Sequence, residues 1–236
     1  MSDRALFVAG AGTEIGKTYV TAALTRCLRA KGPVLTLKPL ASGVPPLGDP
    51  AFARSDTGRL LTAQGLPMDE ANVTACSPWR FEAPLAPDQA AAREGRRLDL
   101  ADLVGWCRER IASAPGPVLV EGVGGLMSPI TAEATGLDWI LALGVPVLLV
   151  SGSYLGAISH ALTAAEVVTS RGLALRAIVV SESAGAPTPP EVVAEAIARH
   201  ARVPVLCLRR GKEAPGDWAS LVRENVAGED KPITSV

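Results

Sequence analysis

The sequence predicts a doubly wound α/β fold, in which a mostly parallel sheet lies between two layers of helices. Three observations carry that prediction. Short apolar runs alternate along the chain with longer amphipathic stretches. Within each run the apolar residues are consecutive rather than alternating, the pattern of parallel strands covered on both faces. A glycine-rich stretch, GAGTEIGKT at 10–18, falls between the first run and the first amphipathic stretch.

The strands are read at 5–9, 34–38, 118–121, 145–151, 174–180 and 203–208, each rich in Val, Leu or Ile and bounded by Gly, Pro or a charge. Helices are read between them at 17–30, 98–112, 157–172 and 189–201, several closed by Gly or Pro. The alternation lapses over 39–97, where Pro and Gly are dense and only 56–64 and 87–94 look helical. An insertion of this kind after the second strand is a place to build a substrate pocket. The whole chain, 1–236, is expected to form one domain, with no internal repeat or linker.

Charge and cysteine usage exclude several functions. Lys and Arg number 23 against 24 Asp and Glu, scattered without a basic run, so neither nucleic acid nor an anionic membrane is an expected partner. Cys27, Cys76, Cys107 and Cys207 lack paired spacing and only two histidines exist to join them, which points to reduced core thiols. The N-terminal apolar run is too short for a signal peptide and no later run is long enough to span a bilayer, so a soluble, cytoplasmic protein is expected.

GAGTEIGKT has the context of a phosphate-binding loop, strand before and helix after, so that backbone amides and a helix N-terminus face an anion. Five residues separate Gly10 from Gly16 where the usual pattern has four, and Ala11 stands at the usual first glycine. Lys17 would reach the outer phosphates and Thr18 would offer its hydroxyl to Mg²⁺, while Gly10, Gly12 and Gly16 let the backbone wrap the ligand. Glu121, delivered by an apolar strand into the turn EGVGG, reads as an Mg²⁺-linked carboxylate, the alternative being a turn cap. Lys38 ends the second strand and opens a loop with Ser42 and Gly43; it is either a site group or a solvated lysine. Asp56, in RSDTG, either caps a short helix or completes an acidic pair around the cation.

Taken in order, GAGTEIGKT, KPLASG, SDT, VEGVGG and LGAISH resemble the dethiobiotin synthetase family over roughly residues 4–182, and the longer family loop has the spacing seen here. The resemblance implies an ATP- and Mg²⁺-dependent ligase acting on 7,8-diaminononanoate and CO₂. One amine is carbamoylated, the carbamate oxygen attacks the γ-phosphate, and the second amine closes a cyclic urea with loss of phosphate. It also implies that Thr13, Lys17 and Lys38 are catalytic, and that Thr13, Lys17, Lys38 and Ser42 contact the carbamate or phosphates. Gly12, Thr13, Glu14, Ile15, Gly16, Lys17, Thr18 and Tyr19, with Asp56, Glu121, Gly122, Val123 and Gly124, would hold the nucleotide, and Thr18, Asp56 and Glu121 the metal.

The family is a homodimer in which the substrate's carboxylate tail reaches the neighbouring subunit near the helix after LGxxNH. Gly156 and Ser159 are the matching positions here, with Ser159 where the family has Asn and His160 reading as structural. Ser181–Glu182 stand where many members carry an Asn–Asp pair facing the base, and Ala86–Pro87–Asp88 where they carry Ser-Pro-His. The tail from Leu208 is expected to form a loop near the base and then a final helix.

Two other functions share the layout. A partition-type switch ATPase usually has a second lysine early in its loop, where this chain has Ala11–Gly12–Thr13–Glu14. An amidotransferase-type synthetase needs a glutaminase cysteine, and none of the four has that context.

Overall fold

The computed structural model describes residues 4–222. β1 (Ala5–Gly10) runs into the glycine-rich loop and α1 (Lys17–Arg29). β2 (Leu35–Leu37) follows, and then a segment of short elements: β3 (Leu40–Ser42), α2 (Asp56–Gln64), α3 (Glu70–Cys76), β4 (Trp79–Phe81) and α4 (Pro87–Arg93). α5 (Leu100–Ser113), β5 (Val118–Glu121), α6 (Gly136–Leu143), β6 (Val147–Ser151), α7 (Ala157–Ser170), β7 (Leu175–Ser181), α8 (Pro190–Ala198) and β8 (Val205–Leu208) complete the alternation.

The main sheet has the order β2-β5-β1-β6-β7-β8 and every pairing is parallel. From β1 the chain crosses to β2, returns through β5 between the two, and then adds β6, β7 and β8 on the other side of β1. The crevice at such a switch point opens at the C-terminal end of β1, where the glycine-rich loop lies. Successive strand residues bury on opposite faces, as the consecutive apolar runs require. Leu6, Val8, Leu148 and Val150 pack with Val20, Leu24 and Leu28 of α1 and with Trp218. Phe7, Val118, Val120, Val147 and Leu149 pack with α5, α6, α7 and α8 through Val104, Trp139, Ala161 and Ile197. Phe7 and Trp139 meet edge to face, ring centroids 4.9 Å apart.

The strands expected from 34, 145 and 203 begin one to two residues later, at Leu35, Val147 and Val205. Pro146 and Pro204 lack an N–H, yet their carbonyls still accept from Phe7 and Ile178 at 2.8 and 2.9 Å. α8 likewise starts at Pro190, the helix position that tolerates proline. Over 39–97 the chain is more regular than expected: β3 and β4 form a parallel two-stranded sheet, and α3 is capped by Asp69, whose carboxylate accepts from the Asn72 N–H. α6 was also not expected. The Asp138 carboxylate accepts the Thr135 N–H at 2.8 Å at its start, a return bond that also holds the Asp138 carboxyl below its ordinary pKa.

β2 is the sheet edge, and α2 closes it with one side chain. The Gln64 amide accepts from the Thr36 N–H at 2.8 Å and donates to the Thr36 carbonyl at 3.0 Å, imitating a neighbouring strand. All four cysteines are free thiols. No helix among the described residues is long and apolar enough to cross a membrane.

Candidate active site

The loop between β1 and α1 is shaped by backbone that side chains rarely adopt. Glu14 has φ 57° and Gly16, capping α1, has φ 93°. A methyl group on Gly16 would also overlap the Ser181 hydroxyl at the end of β7. The Lys17 side chain turns back to donate to the Gly12 carbonyl at 3.1 Å. Burial, and next the nearby Lys38 ammonium, lower the Lys17 pKa to about 8.

Beside the loop lies a compact charged cluster. Thr18 Oγ1 donates to Glu121 Oε1 at 2.6 Å, tying the start of α1 to the end of β5. Lys38 Nζ donates to the same Glu121 oxygen and to the Gly122 carbonyl, each at 2.8 Å, and lies 3.1 Å from Asp56 Oδ2. Burial disfavours the Lys38 ammonium, but Glu121 and Asp56 together outweigh it and hold the pKa above its ordinary value. Lys38 in turn holds the Asp56 carboxyl low. Lys38 is therefore not a solvated lysine; it is 2% exposed. The segment after β2 fixes its backbone, since its N–H donates to the Cys76 carbonyl at 3.0 Å and the Trp79 N–H donates to Pro39 at 3.1 Å.

Asp56 is not a helix cap. Ser55 takes that role, its hydroxyl accepting from the Gly58 N–H, and Asp56 on the first turn is left to face Lys38. Glu121 is not a turn cap either: it is fully buried, and its Oε2 has no hydrogen-bond partner. An unpartnered buried carboxylate oxygen beside a threonine hydroxyl fits a hard divalent cation. No cluster of three or more His, Cys, Asp or Glu occurs among the described residues, so Thr18, Asp56 and Glu121 would hold such an ion only with help from phosphates and water.

One cavity of about 1220 Å³ reaches Lys17, Thr18, Lys38 and Asp56, while the fully buried Glu121 does not line it and meets these groups through Thr18 and Lys38. Residues 13–19, Lys38, Ser42, Asp56, Val123 and Gly124 line it, while Gly12 and Gly122 contribute through their carbonyls to Lys17 and Lys38. Residues 181–184 and Arg210 also line it, Ser181 directly beside Gly16 of the loop. There the Glu182 carboxylate accepts from the Arg210 N–H at 2.8 Å. After Leu208 the chain forms a loop and then a 3₁₀ helix, Gly216–Val222; the remainder of the expected final helix lies outside the described residues.

Gly156 and Ser159 do not join the cavity. Both are exposed at the start of α7, with Leu155 89% exposed beside them. Tyr154, just before them, does line it, and its hydroxyl is hydrogen-bonded to the exposed His160 Nδ1 at 2.8 Å. Sequence reasoning missed Arg54 and Arg59, which line the cavity on either side of Asp56, and Ser128, whose hydroxyl accepts from the Gly125 N–H at 2.8 Å. The arginines flank the SDT motif and were legible as charges near it; Ser128 lies past VEGVGG with no local signal of its own.

A parallel sheet with a phosphate loop at its switch point, and a lysine–carboxylate cluster at the adjoining strand ends, defines a P-loop nucleotide-binding α/β protein. A family model described as an AAA domain matches residues 4–208. The fold resembles that of the MinC:MinD cell division protein complex of Aquifex aeolicus, with a TM-score of 0.50 at 13% identity over 93% of this chain and 86% of that one. Among curated relatives, the ATP-dependent dethiobiotin synthetase of Methylobacterium nodulans is 69% identical over 92% of this chain and 98% of its own. That of Acidiphilium cryptum is 49% identical over 82% and 86%. The chain belongs to the ATP-dependent dethiobiotin synthetase family.

Proposed function

We propose that this chain converts 7,8-diaminononanoate, CO₂ and ATP to dethiobiotin, ADP and phosphate, in biotin biosynthesis. The observation that carries this reading is that two buried ammonium groups, Lys17 and Lys38, face one cavity large enough for a nucleotide and a second anion. A simple phosphate site needs the first of these and not the second. The loop amides and Lys17 hold the triphosphate, while Lys38, Thr13 and Ser42 hold the carbamate formed from one substrate amine and CO₂. Lys38 stays protonated because Glu121 and Asp56 surround it, so it serves as a fixed positive charge rather than a base.

In that arrangement the carbamate oxygen attacks the γ-phosphorus and ADP leaves. The second amine then attacks the carbamoyl carbon, forming the C–N bond of the urea ring and releasing phosphate. The protein contributes position and charge, with no covalent intermediate on a side chain. Thr18, Asp56 and Glu121, together with the phosphates, would hold Mg²⁺, which would supply positive charge to the transferring phosphoryl group.

We further propose a homodimer whose interface covers the start of α7. Exposed Leu155 and Ile158 there, at 89% and 38%, favour a partner surface, and Gly156 and Ser159 lie beside them to receive the substrate tail. The test of the activity is phosphate release from Mg·ATP and bicarbonate that requires the diamine and yields a cyclic urea. ATP turnover indifferent to the diamine, with no urea formed, would replace this reading by a switch ATPase.

A further inference from the structure

The loop over 209–216 is held to the structure at several points along its length. Down α1 and just past its end, Arg26 pairs with Glu213 at 2.8 Å, the Cys27 thiol donates to the Pro215 carbonyl at 3.4 Å, and Lys31 donates to Gly216 at 2.6 Å. Beyond Gly216, Trp218 is buried against the same helix. These contacts hold the distal half of the loop, which does not line the cavity. The proximal half does, through Arg210. It forms a turn in which the Lys212 N–H donates to the Arg209 carbonyl at 3.1 Å, with Gly211 at φ 75°. On the α1 side that turn is held by one side chain: the Tyr19 hydroxyl lies 3.0 Å from the Arg209 carbonyl and 2.5 Å from that of Lys212. From the other side the Glu182 carboxylate holds the Arg210 N–H.

We propose that Tyr19 is a positioning residue for the nucleoside end of the cavity, and that its hydroxyl fixes the 209–212 turn against the space between residues 19 and 181–184. The inference rests on the reading of this cavity as a nucleotide site. The phosphates belong beside Lys17 and the substrate anion beside Lys38 and Ser42, so the nucleoside is left the end lined by Tyr19, Ser181, Glu182 and Arg210. Tyr19 follows Lys17 and Thr18 directly, and through it the helix that receives the phosphates also sets the wall that receives the nucleoside. Without the hydroxyl, the turn keeps the Glu182 bond and the 2.6 Å Arg209–Glu191 ion pair but loses its tie to α1, and a more mobile wall makes an ordered nucleoside more costly in entropy. The phosphate loop has no hydrogen bond to the Tyr19 hydroxyl and keeps its shape.

The experiment measures binding of ADP and of inorganic tripolyphosphate to wild type and Tyr19→Phe by titration calorimetry with Mg²⁺ present. Loss of a single net hydrogen bond predicts that the ADP Kd rises about fivefold. The tripolyphosphate Kd should stay unchanged, because that ligand never reaches the 209–212 turn. An unchanged ADP Kd overturns the proposal. So does parallel weakening of both ligands, which would mean that the hydroxyl supports the phosphate loop itself. A wild-type protein that binds ADP no better than tripolyphosphate also overturns it, since the nucleoside end then contributes nothing. Failure of the ligase reading is separate: it appears as absence of urea from a protein that still discriminates ADP from tripolyphosphate.

Discussion

Lys38 Nζ lies 2.8 Å from Glu121 Oε1, and neither side chain is more than 2% exposed. Removing one partner of such a pair leaves a buried charge without its counter-ion, a loss of about 3–5 kcal/mol. Lys38→Met should therefore lower unfolding stability by that order as well as abolish turnover. The Lys38→Met, Glu121→Gln double variant should regain a good part of the stability and none of the activity. Urea denaturation of the two single variants and the double reads this directly; strictly additive losses would show that the two groups do not depend on each other.

Lys17 offers a pH test. Its pKa, lowered to about 8 by burial and by Lys38, lies below that of the unfolded chain, so below pH 8 its charge opposes folding, and that penalty is relieved as pH rises from 8 toward the ordinary value of 10.5. Anion binding runs the other way, because a bound phosphate favours the ammonium. In chelator, tripolyphosphate affinity should be greatest below pH 8 and fall above it, with proton uptake on binding. Calorimetry in two buffers of different ionisation heat measures that uptake, and none between pH 8 and 9 would contradict the assignment.

At Gly16 two constraints meet: φ 93° and the adjacent Ser181 hydroxyl. Gly16→Ala should cost about 1–2 kcal/mol from the left-handed backbone, beyond the overlap with Ser181. Adding Ser181→Ala should remove the overlap with the hydroxyl but leave the residue 181 Cβ at 3.0 Å and the backbone term, so nucleotide binding recovers only in part. Full recovery would mean that the backbone angle is unimportant.

Gln64 guards the β2 edge. Gln64→Leu leaves the Thr36 N–H buried and unpaired, which should cost about 1–3 kcal/mol. Because α2 also carries Asp56, the variant should weaken diamine-dependent turnover along with thermal stability. A melting temperature within error of wild type would contradict this account of the edge.

What was legible in the sequence is what depends on neighbours along the chain. The phosphate loop and six strands follow from glycine spacing and runs such as VLLV, and they stand where expected within two residues. α6 escaped because its start box, Thr135 to Asp138, uses Asp where Glu or Gln is the usual signal. β3 and β4 are three residues each and exist only by pairing across 36 residues of intervening chain, which no local pattern announces. The Lys38–Asp56 contact likewise requires α2 to fold back on β2, and local pattern left Asp56 open between helix cap and site carboxylate because Ser55 and Asp56 are both good cap residues. Gly156 and Ser159 were chosen for a site completed by a second subunit, and within one chain they remain on the surface.

The central claim is that a carbamate, and not water, takes the phosphoryl group from ATP. Turnover with oxygen-18-labelled CO₂ in unlabelled water tests it most directly, by mass analysis of the released phosphate before the label exchanges. The account predicts one labelled oxygen per phosphate formed, because the attacking carbamate oxygen departs with phosphorus when the ring closes. Phosphate carrying no label, released alongside urea or without it, would contradict it.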